Sequence, residues 1–107
     1  MIVVFCVEAE EELKSLPARE RVAMIAAVEK LKVIGDQLPS PHSSSVKGAS
    51  ETLRELRPRA GRSPWRAFYR RVGNSMVSAA IGPEARANSA GFRRSVEAAI
   101  SRLSKLE

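Results

Sequence analysis

The chain has 107 residues, 44% hydrophobic and 28% charged, with a formal net charge of +6 at pH 7. That length and balance fit one folded domain spanning residues 1–107 and exclude a disordered tail or a large multidomain enzyme. The apolar run IVVFCV is too short to cross a bilayer and no basic stretch precedes it, while a single cysteine, Cys6, excludes an intrachain disulfide, so the expected compartment is the cytoplasm.

Ile2 to Val7 reads as a strand buried on both faces, because it is a short continuous run of β-prone residues. Glu8, Glu10, Glu11 and Glu12 follow. They suit the first turns of a short helix, where negative charge complements the helix dipole. Pro17 ends that helix and opens a second, from about Ala18 to Ile34. Met24, Val28, Leu31 and Ile34 recur at helical spacing, Val22 and Ile25 widen the stripe, and Gly35 is a natural cap. The two helices form a hairpin with an apolar face to bury.

Residues 36–50 (DQLPSPHSSSVKGAS) read as loop, carrying Lys47 and the sole histidine, His42. Leu53 to Arg57 is a strand that Pro58 ends, and residues 60–64 turn. Trp65 to Val72 is a strand, Gly73-Asn74 a tight turn, and Met76 to Ile81 another strand. These three strands are expected as antiparallel neighbours. Asn88 or Ser89 caps a last helix with Phe92, Val96, Ile100 and Leu103 on one stripe. The predicted class is α+β, in the order β-α-α-β-β-β-α. The sheet is antiparallel-rich with the first strand at its edge. The helix hairpin covers one face and a basic face is left open.

Residues 53–71 hold Arg54, Arg57, Arg59, Arg62, Arg66, Arg70 and Arg71 against one acid, Glu55. Strand alternation puts Trp65, Ala67 and Tyr69 on one face, suited to packing, and Arg66, Phe68 and Arg70 on the other. Glu55 and Arg57 are expected on the arginine face, with Arg59 and Arg62 on the adjoining turn. Any one of these arginines reads as ordinary solvated surface. As a set they repel one another, so the cluster implies an anion, and guanidinium groups fit phosphate oxygens bidentately. Tyr69 reads as packing and His42 as a loop residue. No metal-ligand cluster and no Gly-rich phosphate loop is visible, so no metal or cofactor is expected.

LRELR (53–57), a short turn with glycine, WRAFYR (65–70), an apolar strand and a final helix together resemble the RelE/ParE toxin superfamily, in its HigB-like, phage-derived branch. Leu53, Glu55, Leu56 and Arg57 match one strand motif, and Trp65, Arg66, Phe68 and Tyr69 the next. The resemblance implies a RelE-like fold and the toxin of a type II toxin–antitoxin system. Its activity would be metal-free, ribosome-dependent cleavage of mRNA. The implied partners are a cognate antitoxin of helix-turn-helix type, the ribosome and mRNA, with no membrane. By position Arg66 corresponds to the arginine at the scissile phosphate and Arg57 to its neighbour. Glu55 is then the base, and Arg86 replaces the basic pair that follows the last strand. Lys47, Arg54, Arg59, Arg62 and Arg70 remain to hold RNA. The chain departs from the pattern at Glu84, where a basic residue is usual, and at Phe92, where an aromatic hydroxyl is usual. Those departures keep open a ParE-like inhibitor of DNA gyrase and an inactive relative that binds nucleic acid or antitoxin.

Overall fold

Gly73-Asn74 turns the chain between β4 (Trp65–Val72) and β5 (Ser75–Pro83), and this hairpin is the centre of the molecule. In the computed structural model, which describes residues 1–49 and 52–106, the two strands pair from Val72↔Ser75 out to Trp65↔Pro83. A bulge falls where Phe68 pairs with Ala80 and Tyr69 with Ser78, leaving Ala79 as the extra residue. β3 (Arg54–Leu56) pairs antiparallel with β4, and β1 (Ile2–Phe5) runs parallel to β5. With β2 (Ser43–Ser45), the sheet is mixed and five-stranded, in the order β1-β5-β4-β3-β2.

The fifth strand is a correction to the predicted order. β2 (Ser43–Ser45) forms inside the segment read as loop and pairs antiparallel with β3. Three serines carry no apolar alternation to announce it. The backbone ladder holds it instead, together with a buried 2.6 Å hydrogen bond between the Ser43 and Tyr69 hydroxyls. The first strand lies at the sheet edge as expected, but it is not buried on both faces: Ile2 and Val4 are exposed, and the strand ends at Phe5, the chain passing through Cys6 into α1 (Val7–Lys14). Cys6 is half-buried at the helix start, and burial pushes its thiol up, with Glu8 adding to the effect.

α2 (Ala18–Ile34) follows Pro17, as expected. Its Met24, Val28 and Leu31 pack with Leu16, Leu56, Ala67 and Tyr69 on one face of the sheet. The buried stripe is narrower than predicted. Val22, Ile25 and Ile34 stay exposed because α2 meets the sheet along one line only.

α3 (Ser89–Ser104) begins at Asn88, whose side chain accepts a 2.9 Å hydrogen bond from the Gly91 N–H. It covers the second face of the sheet. Leu103 and Ala99 pack on Phe68, Val77 and Ala80, and Phe92 meets Phe68 edge-to-face at 5.4 Å. This overturns the expected open basic face. A helix with an apolar stripe must bury it, and the face not taken by α2 carries Phe68, Val77, Ala79 and Ala80 for that purpose. The approach is close. A Cβ at Gly82 would stand 1.8 Å from Ser95 Oγ and 2.6 Å from its Cβ. Glu12 of α1 pins the layers together. It accepts from the Ile81 N–H at 3.0 Å and from both terminal nitrogens of Arg102 at 3.0 and 3.1 Å. Among the described residues no helix is long and apolar enough to cross a membrane.

Candidate functional site

Pro58 stops β3 and the chain turns through a 3-10 segment, Pro58–Gly61, before entering β4 at Trp65. Arg59 and Ala60 take left-handed backbone conformations, at φ 54° and 56°. Such conformations cost on the order of 1–3 kcal/mol each outside glycine and persist only where the surroundings enforce them. Here α2 holds the turn. Arg59 Nη1 donates to the Glu20 carboxylate at 3.0 and 3.3 Å, and Ser63 Oγ donates to the same group at 2.8 Å. The Ser63 hydroxyl above all, with Arg59 adding, lowers the Glu20 carboxyl below its ordinary value.

This turn encloses Arg66. The residue points to the face opposite Ala67 and Tyr69, as alternation predicts, but it is 2% exposed. A guanidinium has five N–H donors, and each has an acceptor here. Nε donates to Glu55 Oε1 at 3.3 Å. Nη1 donates to the Ser63 and Trp65 carbonyls at 2.7 and 3.0 Å. Nη2 donates to the Gly61 carbonyl at 3.4 Å and to Glu84 Oε2 at 2.6 Å. Burial of the charge is tolerated because two carboxylates and three carbonyls replace water.

Glu55 connects this arginine to Arg57. Its Oε1 lies 3.3 Å from Arg66 Nε and 3.8 Å from Arg57 Nε. Arg57 lies against Gly61, where a Cβ would meet its Nη2 at 3.0 Å, so glycine makes room for the guanidinium. The result is a row of alternating charge, Arg57–Glu55–Arg66–Glu84, at one end of the sheet. Glu55 and Glu84 both keep partial access to solvent. Among the described residues no group of three or more His, Cys, Asp or Glu side chains is placed to hold a metal ion.

Of the residues singled out from sequence, Glu55, Arg57 and Arg66 come together. The others do not join them. Arg54 donates through Nε to Ser43 Oγ at 2.9 Å and through Nη1 to Ser45 Oγ at 3.2 Å, along β2. Arg59 is turned toward α2, and Arg62 is exposed with Nε on the Arg59 carbonyl at 3.1 Å. Arg70 is half-buried on β4 and is engaged by the protein. Lys47 is exposed opposite Phe92 and Val96 of α3, and Arg86 is exposed between β5 and α3. Glu84 was readable only as a misplaced negative charge. Its role appears once the Glu84 N–H, donating to the Pro64 carbonyl at 2.8 Å, brings it beside the turn.

The sheet of this basic α+β protein thus ends in arginines paired with carboxylates. The chain belongs to the family described as phage derived protein Gp49-like (DUF891), whose sequence model matches residues 11–77. This is a toxin family of toxin–antitoxin systems, within the RelE/HigB-like superfamily, and membership implies an antitoxin partner. The matched residues include Glu55, Arg57 and Arg66 and stop before Glu84. No curated protein matches the chain.

Proposed function

We propose that residues 1–107 form a single RelE/HigB-like toxin domain that acts in the cytoplasm as a metal-free, ribosome-dependent mRNA endoribonuclease and is held in check by a helix-turn-helix antitoxin. The observation that carries this reading is the Glu55 carboxylate lodged between the guanidinium groups of Arg57 and Arg66. Cleavage without a metal needs a base for the 2′-hydroxyl and positive charge at the phosphorus. Glu55 takes the proton as the 2′-oxygen attacks the adjacent phosphorus. The bond to the 5′-oxygen breaks, and that oxygen takes up a proton from solvent. Arg57 faces the charge that develops on the phosphoryl oxygens. Arg66 fixes Glu55 in place and reaches the phosphate when Glu84 yields its 2.6 Å contact. Arg86, exposed beyond β5, approaches from the outer side. Lys47, Arg54, Arg62 and Arg70 hold the strand by charge, while Arg59, paired with Glu20, braces the turn.

A second reading draws on the same arginine. Because the chain itself satisfies all of the Arg66 donors, the domain also suits a ParE-like gyrase inhibitor or an inactive binder of antitoxin or nucleic acid. Induced expression of the chain alone separates the two. The ribonuclease reading expects arrested growth with mRNA cut on translating ribosomes, relieved by co-expression of the antitoxin. Arrest with intact mRNA and a block in DNA supercoiling gives the gyrase reading instead. Unimpaired growth at confirmed soluble expression removes the toxin activity altogether.

A further inference from the structure

Behind the turn that follows β3, on the α2 side, lies a second concavity of about 230 Å³. It shares only Arg57 with the charged row just described. Ala23 and Ala27 of α2 form its wall, and Lys30, His42, Arg57 and Arg59 reach it from three separate segments. Among the described residues no carboxylate lines it, so its positive charge is not balanced from within. Arg59 is drawn aside by Glu20, which leaves Lys30, His42 and Arg57 as donors.

Arg57 makes this more than a solvated basic hollow. Its Nε is buried and has no hydrogen-bond partner. The Glu55 oxygen at 3.8 Å is too far to accept from it. Buried polar groups without partners are rare and call for an explanation. The backbone around it is costly as well. Arg59 and Ala60 are the only non-glycine residues at positive φ among those described, and Gly61 makes room for the guanidinium. A half-buried guanidinium that forms no hydrogen bond within the described residues, at the wall of a cavity, suits a ligand that brings negative oxygen to its terminal nitrogens.

We propose that this cleft binds a phosphate group of a nucleotide, with Lys30 and Arg57 supplying charge and the His42 ring a further hydrogen bond. The alanine wall leaves space for a sugar or base. Two sources present the same group. One is a phosphate of substrate RNA next to the bond being cut, a version that rests on the ribonuclease reading. The other is a mononucleotide.

His42 is the only histidine, so its ring signals in an NMR spectrum are unambiguous. The full chain is titrated at fixed pH with inorganic phosphate, AMP and a short oligoribonucleotide. Saturable shifts of the His42 ring are expected with all three. An oligoribonucleotide that binds about tenfold or more tighter than AMP, through additional phosphate contacts, points to RNA as the source. Equal binding points to the mononucleotide. Lys30 is exposed on α2, so Lys30→Glu should keep the wild-type melting temperature. It should weaken binding about tenfold or more, the worth of one charge-assisted hydrogen bond. No saturable shift in the wild type, or undiminished binding by Lys30→Glu, overturns the proposal. Cleavage on ribosomes is scored separately. Phosphate binding without cleavage removes the ribonuclease reading and keeps the cleft, and cleavage without phosphate binding does the reverse.

Discussion

Glu84 Oε2 accepts a 2.6 Å hydrogen bond from Arg66 Nη2, so a carboxylate of the chain holds the guanidinium edge that a phosphate would otherwise meet. Glu84 and Glu55 together make Arg66 a component of the fold as well as of the proposed site.

Arg66→Ala is therefore expected to destabilise the protein. It removes the counter-charge that Glu55 and Glu84 share and empties a fully buried position. Breaking a buried pair by removing one partner costs about 3–5 kcal/mol, which lowers Tm by on the order of 10 °C or more in a domain of this size. Arg66→Lys keeps the charge but loses the planar fork, and should fall between. Thermal melts of both variants check this, and an Arg66→Ala melt at the wild-type temperature refutes it.

Glu84→Gln keeps the shape and removes the negative charge. The Arg66 edge then becomes available to another acceptor. Binding of single-stranded RNA should tighten, with its log–log salt slope steeper by about 0.7, the value of one more phosphate contact. Affinity measured across a salt series reads both. An unchanged slope would place Arg66 outside the RNA contact.

Gly82→Ala tests the packing of α3 on β5. The new Cβ would sit within 2.6 Å of Ser95 Cβ, too close for a change of Ser95 rotamer to relieve. Overpacking of this kind costs about 1–3 kcal/mol. Chemical denaturation should show that loss in Gly82→Ala, leave it in Gly82→Ala with Ser95→Ala, and recover much of it with Ser95→Gly. Equal stability of the two double variants would show that the helix simply shifts.

Glu20 gives a pH dependence of fixed sign. The Ser63 hydroxyl, with Arg59, holds its carboxyl below the ordinary value of 4.5. A carboxyl lowered in the folded state stabilises above its unfolded value, and that contribution is lost as pH falls through the folded value. Glu20→Gln should thus cost about 1.5–3 kcal/mol at neutral pH. The gap to wild type should close as the medium is acidified well below 4.5. Denaturant midpoints at neutral and acid pH decide, and a gap that stays constant contradicts the assignment.

Much of this arrangement was legible in the sequence where period and punctuation agree. The Gly73-Asn74 turn between alternating runs fixed the β4–β5 hairpin, and alternation placed Arg66 and Glu55 on the same side of the sheet. Pro17 and Gly35 bounded α2 correctly. What escaped depends on contacts between distant segments. β2 is held by hydroxyls and backbone rather than by apolar alternation, so three serines read as loop. The exposure of Arg66 was misjudged because alternation reports direction along a strand and not what lies above it. In this fold the Pro58–Gly61 turn, Glu84 and the covering α3 lie there. The cleft around His42 and Lys30 joins residues from separate elements, and no local pattern announces it.

The parallel pairing of β1 with β5 sets an order of assembly. Ile2 to Phe5 find their partners only in Ser75 to Ser78, so during synthesis the IVVF segment waits, unpaired and apolar, while most of the domain is made. Contacts this distant along the chain slow folding and prolong the exposure of sticky intermediates. A chain built this way cannot close its sheet until β5 has been made, so the edge nearest the start of the chain is the last to be paired.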